Sequence, residues 1–230
     1  MTGAGRAVLL LGLGLSGCSG LFQSNAKPEQ IYYLRPPQAS TAPASAGATA
    51  APAMPVSLRV ARPQAGPGLD TAHIMLVEAD HRMNFYTGSR WPAPLSELME
   101  SLAVQTLRAS GEWASVEDSG SPFPSDYLLQ LYVRRFEADY TEGSVPVVHV
   151  TLDCIVGRRQ GREVLATFSA AGSAAAAANR LTDVVAAFEQ ATGTALGALV
   201  QQSAQAVRLD VQHASRSEEP PPATADSAKR

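Results

Sequence analysis

The amino-acid sequence predicts an α+β domain of two layers, a mainly antiparallel sheet covered on one face by two helices. Three observations carry that expectation. Several runs alternate apolar and polar residues with period two, two others repeat apolar residues every three to four positions, and the order along the chain is strands, helix, three strands, helix.

The elements follow in order. Ile31-Tyr32-Tyr33-Leu34 reads as a brief strand, and Val56-Ser57-Leu58-Arg59-Val60 alternates as a half-buried one. Residues 73 to 78 and 82 to 87 form a hairpin turning at Asp80-His81. A helix comes next, because Leu95, Leu98, Met99, Leu102 and Thr106 share one face, Pro92 and Pro94 precede it, and Gly111 suits the left-handed position after its last turn. Three long strands are expected over residues 127 to 138, 147 to 156 and 163 to 171. The middle one places Val148, Val150, Leu152, Cys154 and Val156 on one face and His149, Thr151 and Asp153 on the other. Its partner repeats the pattern with Val164, Ala166, Phe168 and Ala170, across a hairpin turn at residues 157 to 161. A last helix over residues 181 to 207 buries Leu181, Val184, Val185, Phe188, Ala195, Leu196 and Leu199, with Gly193 and Gly197 weakening it.

The flanks have a different composition. Arg6 precedes a short apolar run over residues 7 to 15, and Leu15-Ser16-Gly17-Cys18 follows, which resembles the bacterial lipobox. The run is too short to span a ~30 Å hydrocarbon layer, which needs roughly 20 apolar residues. Residues 1 to 17 are therefore expected to be a signal peptide cut between Gly17 and Cys18. The Cys18 thiol is the nucleophile that takes the lipid. Each buried methylene contributes about 0.8 kcal/mol, so the three acyl chains usual for such a protein, palmitate among them, hold far better than one. An aspartate after the cysteine is the familiar inner-membrane retention signal; Ser19 stands there instead, which favours the periplasmic face of the outer membrane over the inner membrane. The string Gly12-x-Gly14-x-x-Gly17 matches the dinucleotide fingerprint, but it lies in the discarded peptide with no strand before it.

Residues 18 to 55 read as a lipid-anchored segment and a linker, since residues 36 to 55 are almost wholly Pro, Ala, Ser, Thr and Gly. Residues 56 to 207 are the domain, and residues 208 to 230 read as a disordered tail. The composition, 45% hydrophobic and 17% charged over 230 residues, suits one globular passenger with tails. A net charge of −3 argues against nucleic acid as a partner. With Cys18 acylated, Cys154 is the one thiol left, so the fold stands without an intramolecular disulfide.

The residues give no constellation for catalysis. The mature chain contains neither a Gly-x-Ser-x-Gly elbow nor a His-Glu-x-x-His helix, and His73, His81, His149 and His213 are scattered. His149 and Asp153 share a strand face, which reads as a solvated polar face before it reads as an acid/base pair. Cys154 points with the apolar residues as a small core side chain. No catalytic residue, metal site or cofactor is assigned. Arg158, Arg159 and Arg162 cluster in one turn, where they either hold anionic groups such as phospholipid head groups or are simply solvated. Trp91, with Tyr86, is either a lid over the helix end or an exposed aromatic anchor for a partner.

The lipobox, Tyr32-Tyr33-Leu34, the hairpin strand ending Phe85-Tyr86-Thr87-Gly88-Ser89-Arg90-Trp91, the helix opening at Pro94-Leu95, Asp126-Tyr127-Leu128-Leu129 and Val133-Arg134-Arg135-Phe136-Glu137 together resemble the ABC-type transport auxiliary lipoproteins. That resemblance implies a non-enzymatic periplasmic component, tethered to the outer membrane, that works with an ABC transporter and an MCE-domain protein in lipid traffic. The Ala/Pro-rich insert between Leu34 and Val56 departs from the pattern and leaves open whether residues 31 to 34 join the main sheet. Two other readings stand beside it, an outer-membrane assembly lipoprotein serving lipopolysaccharide or protein insertion, and a periplasmic hydrolase. Direct binding of phospholipid and self-association both stay open.

Overall fold

The structure, a computed structural model, describes residues 28–36 and 53–217. The expected signal peptide, Gly17, Cys18, residues 37–52 of the Pro/Ala-rich stretch and residues 218–230 lie outside the described residues.

One sheet of nine strands carries the fold, and its spine is β7 (Tyr127–Asp139). Along one side β7 pairs with β8 (Val147–Arg158), which in turn pairs with β9 (Glu163–Ala175) at the sheet's edge. Along its other side three strands follow one another, β2 (Met54–Val60), β3 (Gln64–Ala65) and β4 (His73–Val77), all parallel to it. β4 continues through β5 (Met83–Arg90) to β1 (Gln30–Ile31), and β2 continues to β6 (Trp113–Glu117). By length the sheet is mostly antiparallel, as the sequence predicts. The β7–β8 and β8–β9 pairings each register twelve residue pairs, whereas no parallel pairing registers more than four. Short connections dictate this, because consecutive long strands joined by a tight turn can only run antiparallel.

Both helices, α1 (Leu95–Ala109) and α2 (Leu181–Ser217), lie on one face; α2 follows β8 and β9, α1 follows β6, and the two touch. The apolar periods foretell the contact faces. Leu95, Leu98, Met99, Leu102 and Leu107 of α1 are buried over β6, β2 and β3, and Val184, Phe188, Leu196 and Leu199 of α2 are buried over β8 and β9, where Val148, Val150, Leu152, Cys154 and Val156 form the inward row of β8. Burying each large side chain contributes about 1.5–3 kcal/mol before ordering costs. α1 ends as expected, with Ser110 as its cap and Gly111 at φ 67°. At its start the backbone N–H of Ser96 donates to the Asp70 carboxylate at 3.0 Å, a cap supplied by the preceding loop.

Two local devices fit the layers together. A bulge at Val133–Arg135 shifts the register of β7, so that Val133 and then Phe136 both point inward. Where α2 crosses β9, a methyl group at Gly172 would sit 2.1 Å from the carbonyl oxygen of Ala191, so only glycine allows the approach.

Two expected boundaries are corrected. The last helix does not stop at residue 207 but runs to Ser217, so residues 208–217 are helix rather than disordered tail. Polar composition misleads there because Asp210 is held by Tyr127 and Arg158 at the end of the sheet. The domain likewise begins well before residue 56. β1 pairs with β5, the Tyr32 N–H donates to the Arg90 carbonyl at 2.9 Å, and Leu34 is buried in the core. Arg35 then grips Glu189 of α2 through its backbone N–H and its guanidinium, at 2.7–3.0 Å. Residues 30 to 32 therefore join the main sheet and Leu34 joins the core, so the domain includes described residues on both sides of the Pro/Ala-rich stretch. Strands β3 and β6 have no counterpart in the sequence reading.

Candidate functional site

The surface positions singled out from sequence separate into three groups once placed on this frame. Trp91 is 1% exposed and packs edge-on against Phe136 and Phe188, with ring centroids 5.9 and 5.2 Å away. This overturns its reading as an exposed partner contact. β5 ends at Arg90, and the turn into α1 drives the next side chain between the layers. The indole N–H is buried without a hydrogen-bond partner among the described residues, so the ring is held by packing alone. Tyr86 is half-buried, and its hydroxyl is 2.7 Å from that of Tyr140, which donates to Asn179 at 2.8 Å. Burial first, and that bond second, push the Tyr86 hydroxyl well above the usual tyrosine range, so it is a neutral link in the wall rather than a free anchor.

The basic turn forms the second group, and its three arginines are not equivalent. Arg158 ends β8 and forms an ion pair with Asp210 of α2, with Glu163 also 3.6 Å away. Asp210 accepts a further bond from the Tyr127 hydroxyl at 2.8 Å. Burial alone would raise the Asp210 carboxyl, but the bonds from Arg158 and Tyr127 outweigh it and hold the group below the usual carboxylate range. Burial first and the bond to Asp210 second push the Tyr127 hydroxyl up to about 12, against the opposing charge of Arg158. Arg158 is thus committed to a strand–helix clamp. Arg159 is exposed, and its guanidinium reaches only the Ser125 hydroxyl at 3.3 Å. Arg162 sits at φ 56° with its side chain exposed and unpaired among the described residues. Two cations therefore stay open at this end of the molecule.

The groups searched for chemistry form the third set. Asp153 is an ion-pair partner of Arg134 across the β7–β8 ladder, which removes it from any pair with His149. Cys154 is buried, and desolvation, then the Asp153 charge, push its thiol up to about 12, so it behaves as a small core residue. Among the described residues no group of three His, Cys, Asp or Glu could hold a metal ion, and no helix is long and apolar enough to cross a membrane.

Two open clefts complete the surface. One of about 380 Å³ lies between β9 and the end of α2, bounded by Phe168, Ala206, Leu209 and Asp210; the other, about 370 Å³, lies beside α1 at Glu100, Arg108 and Ser119. Between the layers the space is filled by Trp91, Phe136, Phe188 and their neighbours. Sequence reasoning missed the clamp because Asp210 reads as tail. It missed the corner at β1 because a two-residue strand carries no periodic signal.

Comparison with known proteins gives a consistent answer. The family model described as ABC-type transport auxiliary lipoprotein component matches residues 32–211. A crystal structure of a Xanthomonas campestris protein of the DUF330 family is similar at 26% identity, covering 80% of this chain and 99% of that one, with a TM-score of 0.69. The crystal structure of an uncharacterized protein shares the fold at 13% identity, covering 76% of this chain and 99% of that one, with a TM-score of 0.56. No curated protein sequence matches.

Proposed function

The chain belongs to the ABC-type transport auxiliary lipoprotein component family, and from that membership we propose that it is a non-enzymatic scaffold, acylated at Cys18 and held on the periplasmic face of the outer membrane, that serves an MCE-type lipid transport system. The observation that supports a scaffold over a lipid carrier is the filled interior. Trp91, Phe136 and Phe188 occupy the space between sheet and helices where a carrier would need a cavity for acyl chains.

The position of β1 supplies the geometry. Because residue 30 is already in the sheet, the tether is the stretch between Cys18 and Pro28, about 35 Å at full extension. The domain therefore stays close to the bilayer, and partners come to it. Open cations at Arg159 and Arg162 suit an acidic partner surface.

The test is crosslinking of the full chain in cells, followed by identification of what is recovered. An MCE-domain protein is expected with the native chain and is lost with Cys18→Ser, which removes the acylated thiol. Repeated recovery of outer-membrane assembly factors without an MCE-domain protein would overturn the transport reading. Intact mass without added acyl chains would overturn the anchor.

A further inference from the structure

Four large apolar side chains line the β1–β5 corner of the sheet, Met83 toward the β4–β5 turn and Ile31 and Tyr33 toward the other end of β5. Ile31, Tyr33, Met83 and Phe85 are each between 43% and 62% exposed, and the strand registers place Met83 and Phe85 on the face that no helix covers. Leu76 is in register with Ala138, two residues from the inward Phe136, so β4 alternates with Leu76 inward and Val77 outward, and Met75 shares the side of Val77 although it is itself buried. Phe85 pairs with Met75 and Met83 with Val77, which puts both on the outer face. Tyr32 and Leu34 pack with the core, so Ile31 and Tyr33 project the opposite way. The Phe85 ring is further fixed by stacking on His73 at 4.4 Å.

Single exposed apolar residues need no explanation, but a group of four at one corner does. Elsewhere on that face polar pairs close much of the surface, Arg134 with Asp153 and Arg135 with Glu137 and Asp139, with Ile155 and Val164 as separate apolar positions. Charges bordering the corner are already satisfied, Arg90 by Glu29 and Arg82 by Glu78 and Asp80. Whatever covers the corner meets apolar and aromatic surface, not net charge.

Its place along the chain identifies the occupant. Ile31 and Tyr33 come just after the nine residues that separate Cys18 from Pro28, so the corner is the part of the domain that the tether presents to the bilayer first. We infer that the β1–β5 corner rests in the interfacial layer of a phospholipid bilayer, Tyr33 and Phe85 lying among the head groups and Ile31 and Met83 reaching the acyl boundary. This rests on the acylation of Cys18 proposed above. A short tether keeps the surface at millimolar-scale effective concentration, so shallow contacts suffice to orient the domain. The orientation turns the helix-covered layer and the opposite sheet edge at β9 away from the membrane.

Full-length acylated protein in phosphatidylcholine vesicles tests this. Tyr33→Cys and Phe85→Cys each give a single reactive thiol, since Cys18 is acylated and Cys154 is buried. An environment-sensitive fluorophore at either position should shift to the blue and lose most of its emission to lipids carrying a nitroxide near the head group. The same label at Val164→Cys, 62% exposed on the far edge strand, should be unaffected. Adding anionic lipid or salt should change little, because the contact is apolar. Protein that is acylated by mass and floats with vesicles while both corner labels stay water-exposed overturns the inference and leaves the anchor standing. Labels that are shielded but not quenched by lipid show a second protein copy on the corner, which overturns it too. Absence of acylation overturns both readings.

Discussion

On the helix side of β7, β8 and β9, Val148, Val150, Leu152, Cys154 and Val156 are wholly excluded from water, while on the other side the same strands show Arg134, Arg135, His149, Thr151 and Asp153. The covered face is held by packing, and the open face by ion pairs that water largely screens. The difference teaches where change is tolerated. Substitutions on the first face should act on stability, and those on the second on contacts with other molecules.

The sharpest way to break that comparison is to cut equivalent rings on both faces. Phe188→Ala empties the centre of the aromatic cluster and should cost about 3–5 kcal/mol, because the surrounding Trp91 and Phe136 can only partly refill the space. Phe85→Ala on the open corner should cost under about 1 kcal/mol. Leu102→Asp, at a residue 2% exposed on the buried face of α1, should be at least as damaging as the first, since a carboxylate there has no partner. Thermal and urea unfolding of the three variants measures this. Similar losses for Phe188→Ala and Phe85→Ala would mean the corner is part of the core.

A second contrast uses backbone proximity. Gly172→Ala forces a methyl into the Ala191 carbonyl, so α2 must move off β9, at a cost of about 1–3 kcal/mol. Gly143→Ala, with nothing within 4 Å, should lie within about 0.5 kcal/mol of the parent. Equal melting temperatures for the two variants would show that the helix is free to slide.

How much of this was legible in the sequence follows from the same division. The inward rows of β8 and α2 announced themselves, since a strand or helix with one dry face must repeat its apolar residues at period 2 or 3.6. The open face has no such obligation, and its pattern is plain polarity. The lipobox-like run from Leu15 to Cys18 could be noticed only as linear sequence, and it lies outside the described residues. Trp91 was ambiguous because its depth depends on the turn between β5 and α1, and a single residue has no period. Asp210 and β1 were illegible for a related reason. A clamp between residues 83 positions apart, and a two-residue strand paired with residues nearly 60 positions away, exist only after the chain has folded.

The clamp itself gives a third test, in which pH is the probe. The Asp210 carboxyl lies below its unfolded value of about 3.9, so its contribution is complete above about pH 5 and is lost as pH falls through the unfolded and then the folded value. Asp210→Asn should therefore cost about 1–2 kcal/mol at pH 7, a modest figure because Arg158 is 38% exposed. Its unfolding midpoint should converge with the parent's in acid. Tyr127 behaves with the opposite sign: its raised value adds stability below about pH 10 that is lost as pH rises toward 12. A gap between Asp210→Asn and the parent that persists undiminished near pH 2 would assign the clamp to shape rather than charge.

The smallest effect is expected from the arginines beside that clamp, and it separates structure from recognition most cleanly. Arg159 has one long bond to Ser125 and Arg162 has no side-chain partner among the described residues, so Arg159→Ala and Arg162→Ala should change stability by less than about 0.5 kcal/mol. Arg158→Ala leaves Asp210 half-buried without its guanidinium partner, and should cost about 1 kcal/mol more than either. If the two open cations serve an acidic surface, removing both should weaken crosslinking to the transport partner, most visibly at low salt, while the melting temperature stays put. Unchanged crosslinking would leave the pair as ordinary solvated charge. Lost stability in Arg159→Ala or Arg162→Ala would extend the clamp into the turn and remove the distinction between Arg158 and its neighbours.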